Sequence, residues 1–312
     1  ITAVADSVLP LELMTSMFIA MDPPKHDRIK ALFQRGFTPK RIAEHEDEIR
    51  QITRDVLDRL EGRETCDLVD DVAQPVVARV IGSFMGLPPG DDVIWARLMN
   101  MILGANDPEV NPEGIETVMQ RDVPEVFERC AKLIADRREN PTMDLTSVLV
   151  HAEVDGQKLE EHEIVMGFFL LMAAGNDSTK ATYCSAMRAL LEDKSQLQLL
   201  LDDPSLVPQT VEEALRMFPA FAHFRRTATE DTELLGQLLG QRSATLARTG
   251  SARPGGRRSA RGGGRRGGRF ARPVGFADRF QRLGDLRLIH TELLGELLGQ
   301  LGIVDAAPRP TP

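Results

Sequence analysis

Gly167-Phe168-Phe169-Leu170-Leu171-Met172-Ala173-Ala174-Gly175-Asn176-Asp177-Ser178-Thr179 is the centre of an apolar segment running from about residue 160 to 192. No proline interrupts it, and apolar residues recur at helical spacing, so the stretch predicts one long helix. Asp177, Lys180 and Arg188 break the apolar run, which fits a core helix and not a membrane span. Gly175 in mid-helix costs about 1 kcal/mol against Ala. The next four residues, Asn176 to Thr179, put polar side chains in an apolar helix, which is costly unless they have partners. A helix loosened and polar at its centre is expected to form the floor of a pocket. The bland reading of Asp177 is a helix carboxylate paired with Lys180 or Arg188.

Three further stretches belong with this one. In Glu212-Glu213-Ala214-Leu215-Arg216, Glu213 and Arg216 stand three apart and share a helix face. Phe224-Arg225-Arg226-Thr227-Ala228 follows, in a region expected to be strand. Near the start, Met21-Asp22-Pro23-Pro24-Lys25-His26-Asp27-Arg28-Ile29-Lys30 reads as a helix opening, because proline is tolerated in the first turn. Gly36-Phe37-Thr38-Pro39 closes that helix.

In this order the four stretches resemble the soluble bacterial cytochrome P-450 haem-thiolate monooxygenases, over roughly residues 1–236. Residues 174–179 are similar to the oxygen-activating motif of the central helix. The resemblance implies a mainly α, partial cytochrome P-450 fold with little sheet. It implies that Asp177 and Ser178, with Thr179 following, hold the acid/alcohol positions that relay protons during oxygen activation. Ser178 stands where threonine is usual; it keeps the hydroxyl and loses the methyl that restricts its rotamers. Ala174 and Gly175 would lie against haem b, and Gly175 would admit oxygen or substrate. His26 and Lys30 would meet one haem propionate and Arg226 the other. Lys30 replaces the usual arginine, so charge is kept and bidentate geometry is lost. Glu213 and Arg216 would form the family's buried structural pair. A ferredoxin-type electron donor and an apolar small-molecule substrate, a lipid or sterol among them, are the implied partners. Phe168 and Phe169 are expected near the haem.

One part of the pattern is missing. The family's axial ligand is a cysteine in a Phe-x-x-Gly-x-x-x-Cys-x-Gly loop, whose thiolate favours O–O cleavage. The three cysteines here, Cys66, Cys130 and Cys184, all precede Glu213, and none sits in such a loop. Cys184 alone would face the same pocket, from the oxygen side. Ile1 is not an initiator methionine, and the family's first sheet and helices would lie before it. The chain as written is therefore expected to be inactive. The alternative is a non-catalytic helical remnant, or an interaction module with a nucleic-acid-binding Arg-Gly tail.

That tail is the second expected segment, residues 237–312. It contains Gly262-Gly263-Gly264-Arg265-Arg266-Gly267-Gly268-Arg269, and apolar residues are too sparse from about 241 to 282 to repay ordering. Residues 232–241 recur almost unchanged at 291–300, one echo and no solenoid. The tail reads as out-of-frame or rearranged coding sequence. From Gln241 onward there are 14 Arg against 5 acidic residues, although the whole chain carries a net −9. The body is thus strongly acidic and offers no nucleic-acid footprint. Few, scattered cysteines imply no disulfide framework and fit a reducing cytoplasm. The apolar stretch from Leu9 to Met21 contains Glu12 and lacks a basic leader, so it is neither signal peptide nor span. Helices are expected over 38–60, 67–85, 91–103, 112–138 with a kink at Pro124, 144–152, 194–201 and 206–217, with a turn at 154–157 and sparse strand over 222–235. Trp95 and Tyr183 are expected in the core.

Overall fold

The computed structural model describes residues 14–34, 37, 43–154 and 156–221, together with the backbone of short strands between 223 and 248. The architecture is helical, as expected. Helix α1 spans Lys25–Gln34, α2 Glu46–Asp58, α3 Gln74–Met85 and α4 Asp92–Leu103. Helix α5 covers Val123–Glu139, α6 Leu145–His151, α7 Glu161–Glu192, α8 Lys194–Asp202 and α9 Val207–Met217. Of the helix expected from residue 38, residues 43–44 and Glu46–Asp58 are helical, with a turn at His45, and residues 38–42 lie outside the described residues.

Two helices open in wider turns. Leu68–Ala73 is a π segment leading into α3, and Val118–Asp122 is another leading into α5. Each ends two residues before a proline, Pro75 and Pro124 respectively. Proline removes a backbone donor and its ring crowds the preceding turn, and a π turn relieves that crowding. The kink expected at Pro124 is this local widening.

Helix α7 is the axis of the fold, 32 residues long. Its start is a capping box: Glu160 and Glu163 bond reciprocally to each other's backbone. Residues on all sides of it are buried, including Phe168, Phe169, Leu171, Tyr183 and Met187, as expected of a helix enclosed by others. Trp95 from α4 packs on Phe168 at 5.3 Å between ring centroids. Phe168 and Phe169 are therefore core residues, and Trp95 and Tyr183 are buried beside them. Two glycines set how closely other helices approach. A Cβ on Gly167 would lie 2.0 Å from the Phe33 ring of α1, and one on Gly175 would lie 2.9 Å from Ile81 of α3.

Sheet is sparse. Strands β1 (Glu153–Val154) and β2 (Gln157–Lys158) form a hairpin where a turn was expected. Strand β3 (His223–Thr227) pairs antiparallel with β6 (Ser243–Arg248), and β4 (Thr232–Leu234) with β5 (Gln237–Leu239). The absence of structure expected from residue 241 thus fails for 243–248, where alternating Ala244, Leu246 and neighbours suit a strand that β3 can pair. The rest of the Arg-Gly stretch lies outside the described residues.

Candidate functional site

The centre of α7 is an unbroken helix through residues 174–179. The loosening expected at Gly175 does not occur. The space beside its Cα is taken by Ile81, so glycine here permits close packing of α3 on α7. Ser178 Oγ donates to the Ala174 carbonyl at 2.7 Å, one turn back. Thr179 is buried. Asp177 Oδ1 meets Lys180 Nζ at 2.9 Å, and its side chain is 52% exposed while that of Lys180 is only 14% exposed. Arg188, the other cation considered for Asp177, pairs with Glu192 instead.

Lys180 and Asn176 enter an arrangement that sequence reading did not foresee. Gln74 Nε2 donates to Asn176 Oδ1 (3.1 Å), Asn176 Nδ2 to Asn100 Oδ1 (3.0 Å), and Asn100 Nδ2 to Gln74 Oε1 (2.9 Å). The three side-chain amides close a ring across α3, α4 and α7. Lys180 Nζ then donates to Gln74 Oε1 and Asn100 Oδ1, both at 3.0 Å. The ammonium thus has three acceptors, the number of its protons. The cost of burying Asn176 is met by this ring. The visible signal was a polar residue beside Asp177; its partners are 76 and 102 positions away and had none.

Helix α1 is fixed to α7 by a second buried charge. Glu163, 2% exposed, accepts from Arg28 Nη2 at 2.5 Å, with Lys25 Nζ at 3.9 Å. His26 and Lys30 stand four apart on α1 and share a face. His26 Nδ1 lies 2.9 Å from Asp27 Oδ1, and its ring is 6.3 Å from that of Phe18. Arg226 lies on β3 with its backbone opposite Ala244; its side chain falls outside the described residues.

Glu213 and Arg216 are in contact, through Nε–Oε2 at 2.7 Å and Nη2–Oε1 at 2.5 Å. The burial expected of them is not found. Their side chains are 52% and 49% exposed, because α9 buries its opposite face through Val207, Val211 and Ala214. The arginine fork holds the Glu213 carboxyl below its ordinary range and raises its own guanidinium in turn.

No family model matches the chain. It is 32% identical over 238 residues to the putative cytochrome P450 YjiB of Bacillus subtilis, covering 75% of this chain and 60% of that protein. It is 34% identical over 236 residues to the steroid C26-monooxygenase of Mycobacterium tuberculosis, covering 75% and 63%. A solved Mycobacterium marinum cytochrome P450, CYP268A2 in complex with pseudoionone, superposes with a TM-score of 0.68 at 33% identity, covering 75% and 58%. The chain belongs to the cytochrome P450 family. It spans about three fifths of the length of the curated relatives it matches.

Intact cytochrome P450s of this kind use haem b. Of the cysteines in the chain, Cys130 is fully buried and burial pushes its thiol far up. Burial also raises Cys66, and pushes Cys184 up to about 11. None of the three stands in the Phe-x-x-Gly-x-x-x-Cys-x-Gly loop that carries the family's axial thiolate. Among the described residues, no group of three or more His, Cys, Asp or Glu could hold a metal ion. None of the described helices is long and apolar enough to cross a membrane.

Proposed function

We propose that residues 1–236 are the oxygen- and substrate-facing part of a cytochrome P450 monooxygenase, a family whose intact members insert one atom of O₂ into a small molecule. The observation that carries this reading is the centre of α7. Asp177 is the one carboxylate between Glu163 and Glu192, and it stands beside the hydroxyls of Ser178 and Thr179 at the end of an apolar run. Asp177, Ser178 and Thr179 are the proton-handling residues in this reading. Ala174 faces the haem side, while Gly175, expected there too, is taken up by the close approach of Ile81; His26, Lys30 and Arg226 are the propionate partners. The substrate is apolar, a sterol or lipid, supported by the steroid C26-monooxygenase and by the pseudoionone bound to the Mycobacterium marinum relative. The electron donor is of ferredoxin type, and the setting is cytoplasmic. Residues 237–312 form a separate segment outside the family pattern.

The chain as it stands is inactive in this reading, because none of its three cysteines stands in the axial-ligand loop. The test is a CO titration of the purified, hemin-reconstituted and dithionite-reduced chain. No thiolate-type absorbance band is expected, with or without Cys184→Ala. A stable thiolate-type band abolished by Cys184→Ala would show a working haem site and overturn the inactive assignment.

A further inference from the structure

The acid and the alcohol of the α7 motif are adjacent in sequence and turned to different partners. Asp177 bonds to Lys180, and Ser178 bonds to the Ala174 carbonyl. An i,i+3 pair on one helix ordinarily restrains a carboxylate weakly, since both side chains are long or free to rotate. Here one partner is fixed. Two of the three ammonium protons of Lys180 go to Gln74 Oε1 and Asn100 Oδ1, which belong to α3 and α4. Those two oxygens are themselves held in place by the amide ring through Asn176.

We propose that Lys180, anchored by the Gln74–Asn100–Asn176 ring, is a positioning residue that fixes Asp177 and keeps its carboxylate apart from the Ser178 hydroxyl. Two helices that carry no motif residue thereby set the orientation of the acid. Any displacement of α4 relative to α7 would slacken the Lys180 anchor and release Asp177. The bearing on the acid/alcohol pair rests on the functional reading above; the anchoring does not, and it is the anchoring that is measured.

The experiment is NMR on the full chain labelled at lysine and aspartate, comparing wild type, Asn100→Ala and Gln74→Met. In wild type the Lys180 ammonium should give a slowly exchanging signal and three-bond couplings should report one χ1 rotamer for Asp177. In either variant that exchange should quicken by about tenfold or more, the size expected for losing a hydrogen bond to a charged group. The Asp177 couplings should become averaged while signals of the Trp95 and Tyr183 core stay in place. If Asn100→Ala fails to fold, Gln74→Met supplies the same reading. A slow Lys180 signal and a single Asp177 rotamer in a folded variant would reduce the pair to an ordinary helix contact and overturn the proposal. The CO titration reads the inactive assignment alone, and either of its outcomes leaves these couplings unaffected.

Discussion

Asp177–Lys180 in α7 and Glu213–Arg216 in α9 are both acid–base pairs three residues apart, and both are in direct contact. Their surroundings differ. Lys180 is 14% exposed and tied to two other helices, whereas both members of the α9 pair stand about half in solvent. Spacing fixes which side chains can meet. It does not fix how much their meeting matters, which depends on what else desolvates them and holds them still. The sequence motif gave the greater structural weight to the α9 pair, and the fold gives it to the α7 cluster.

The largest effect should come from Glu163, which is more buried than any member of these two pairs. Glu163 is 2% exposed and joins α1 to the start of α7 through Arg28. Glu163→Ala leaves Arg28 without this partner at a part-buried site and should cost about 3–5 kcal/mol, read by urea denaturation. A loss no larger than that for Glu213→Ala would break the link between burial and weight on which the comparison stands.

The amide ring comes next. Asn176→Ala removes an acceptor from Gln74 and a donor to Asn100. Leaving the half-buried Gln74 amide nitrogen without this acceptor should cost about 1–3 kcal/mol in the same assay. A double-mutant cycle of Asn176→Ala with Lys180→Met should be non-additive, because both residues share Asn100 Oδ1. Additive losses would mean that ring and ammonium act separately.

Much of this was legible beforehand, for definable reasons. Helix α7 could be read almost to the residue because apolar periodicity is sustained for 32 residues and Glu160 with Glu163 marks its start. The contact between Glu213 and Arg216 followed from local spacing. What could not be read is everything decided across distance. Gly175 looked like an opening, and the tertiary neighbour Ile81 makes it a close approach. Phe168 looked like a pocket residue, and Trp95 makes it core. The exposure of Glu213 depends on which face of α9 is covered, and Val207 and Val211 decide that by packing inward. A ring of amides drawn from residues 74, 100 and 176 leaves no local pattern at all.

The smallest effect belongs to the α9 pair, and its pH dependence gives it a signature. Arg216 holds the folded-state pKa of Glu213 below the ordinary 4.5. A carboxyl whose folded pKa is depressed stabilises the fold fully above its unfolded value. That contribution is lost as pH falls from about the ordinary value through the depressed one. Glu213→Gln should therefore leave thermal stability at pH 7 little changed, and should flatten the acid-side decline below pH 4.5 slightly. Because both side chains are half exposed, raising the salt concentration should erase even that difference. A large loss at neutral pH that persists in high salt would mean that the pair is buried in solution, and would place it with Lys180 and Glu163 among the anchors of the fold.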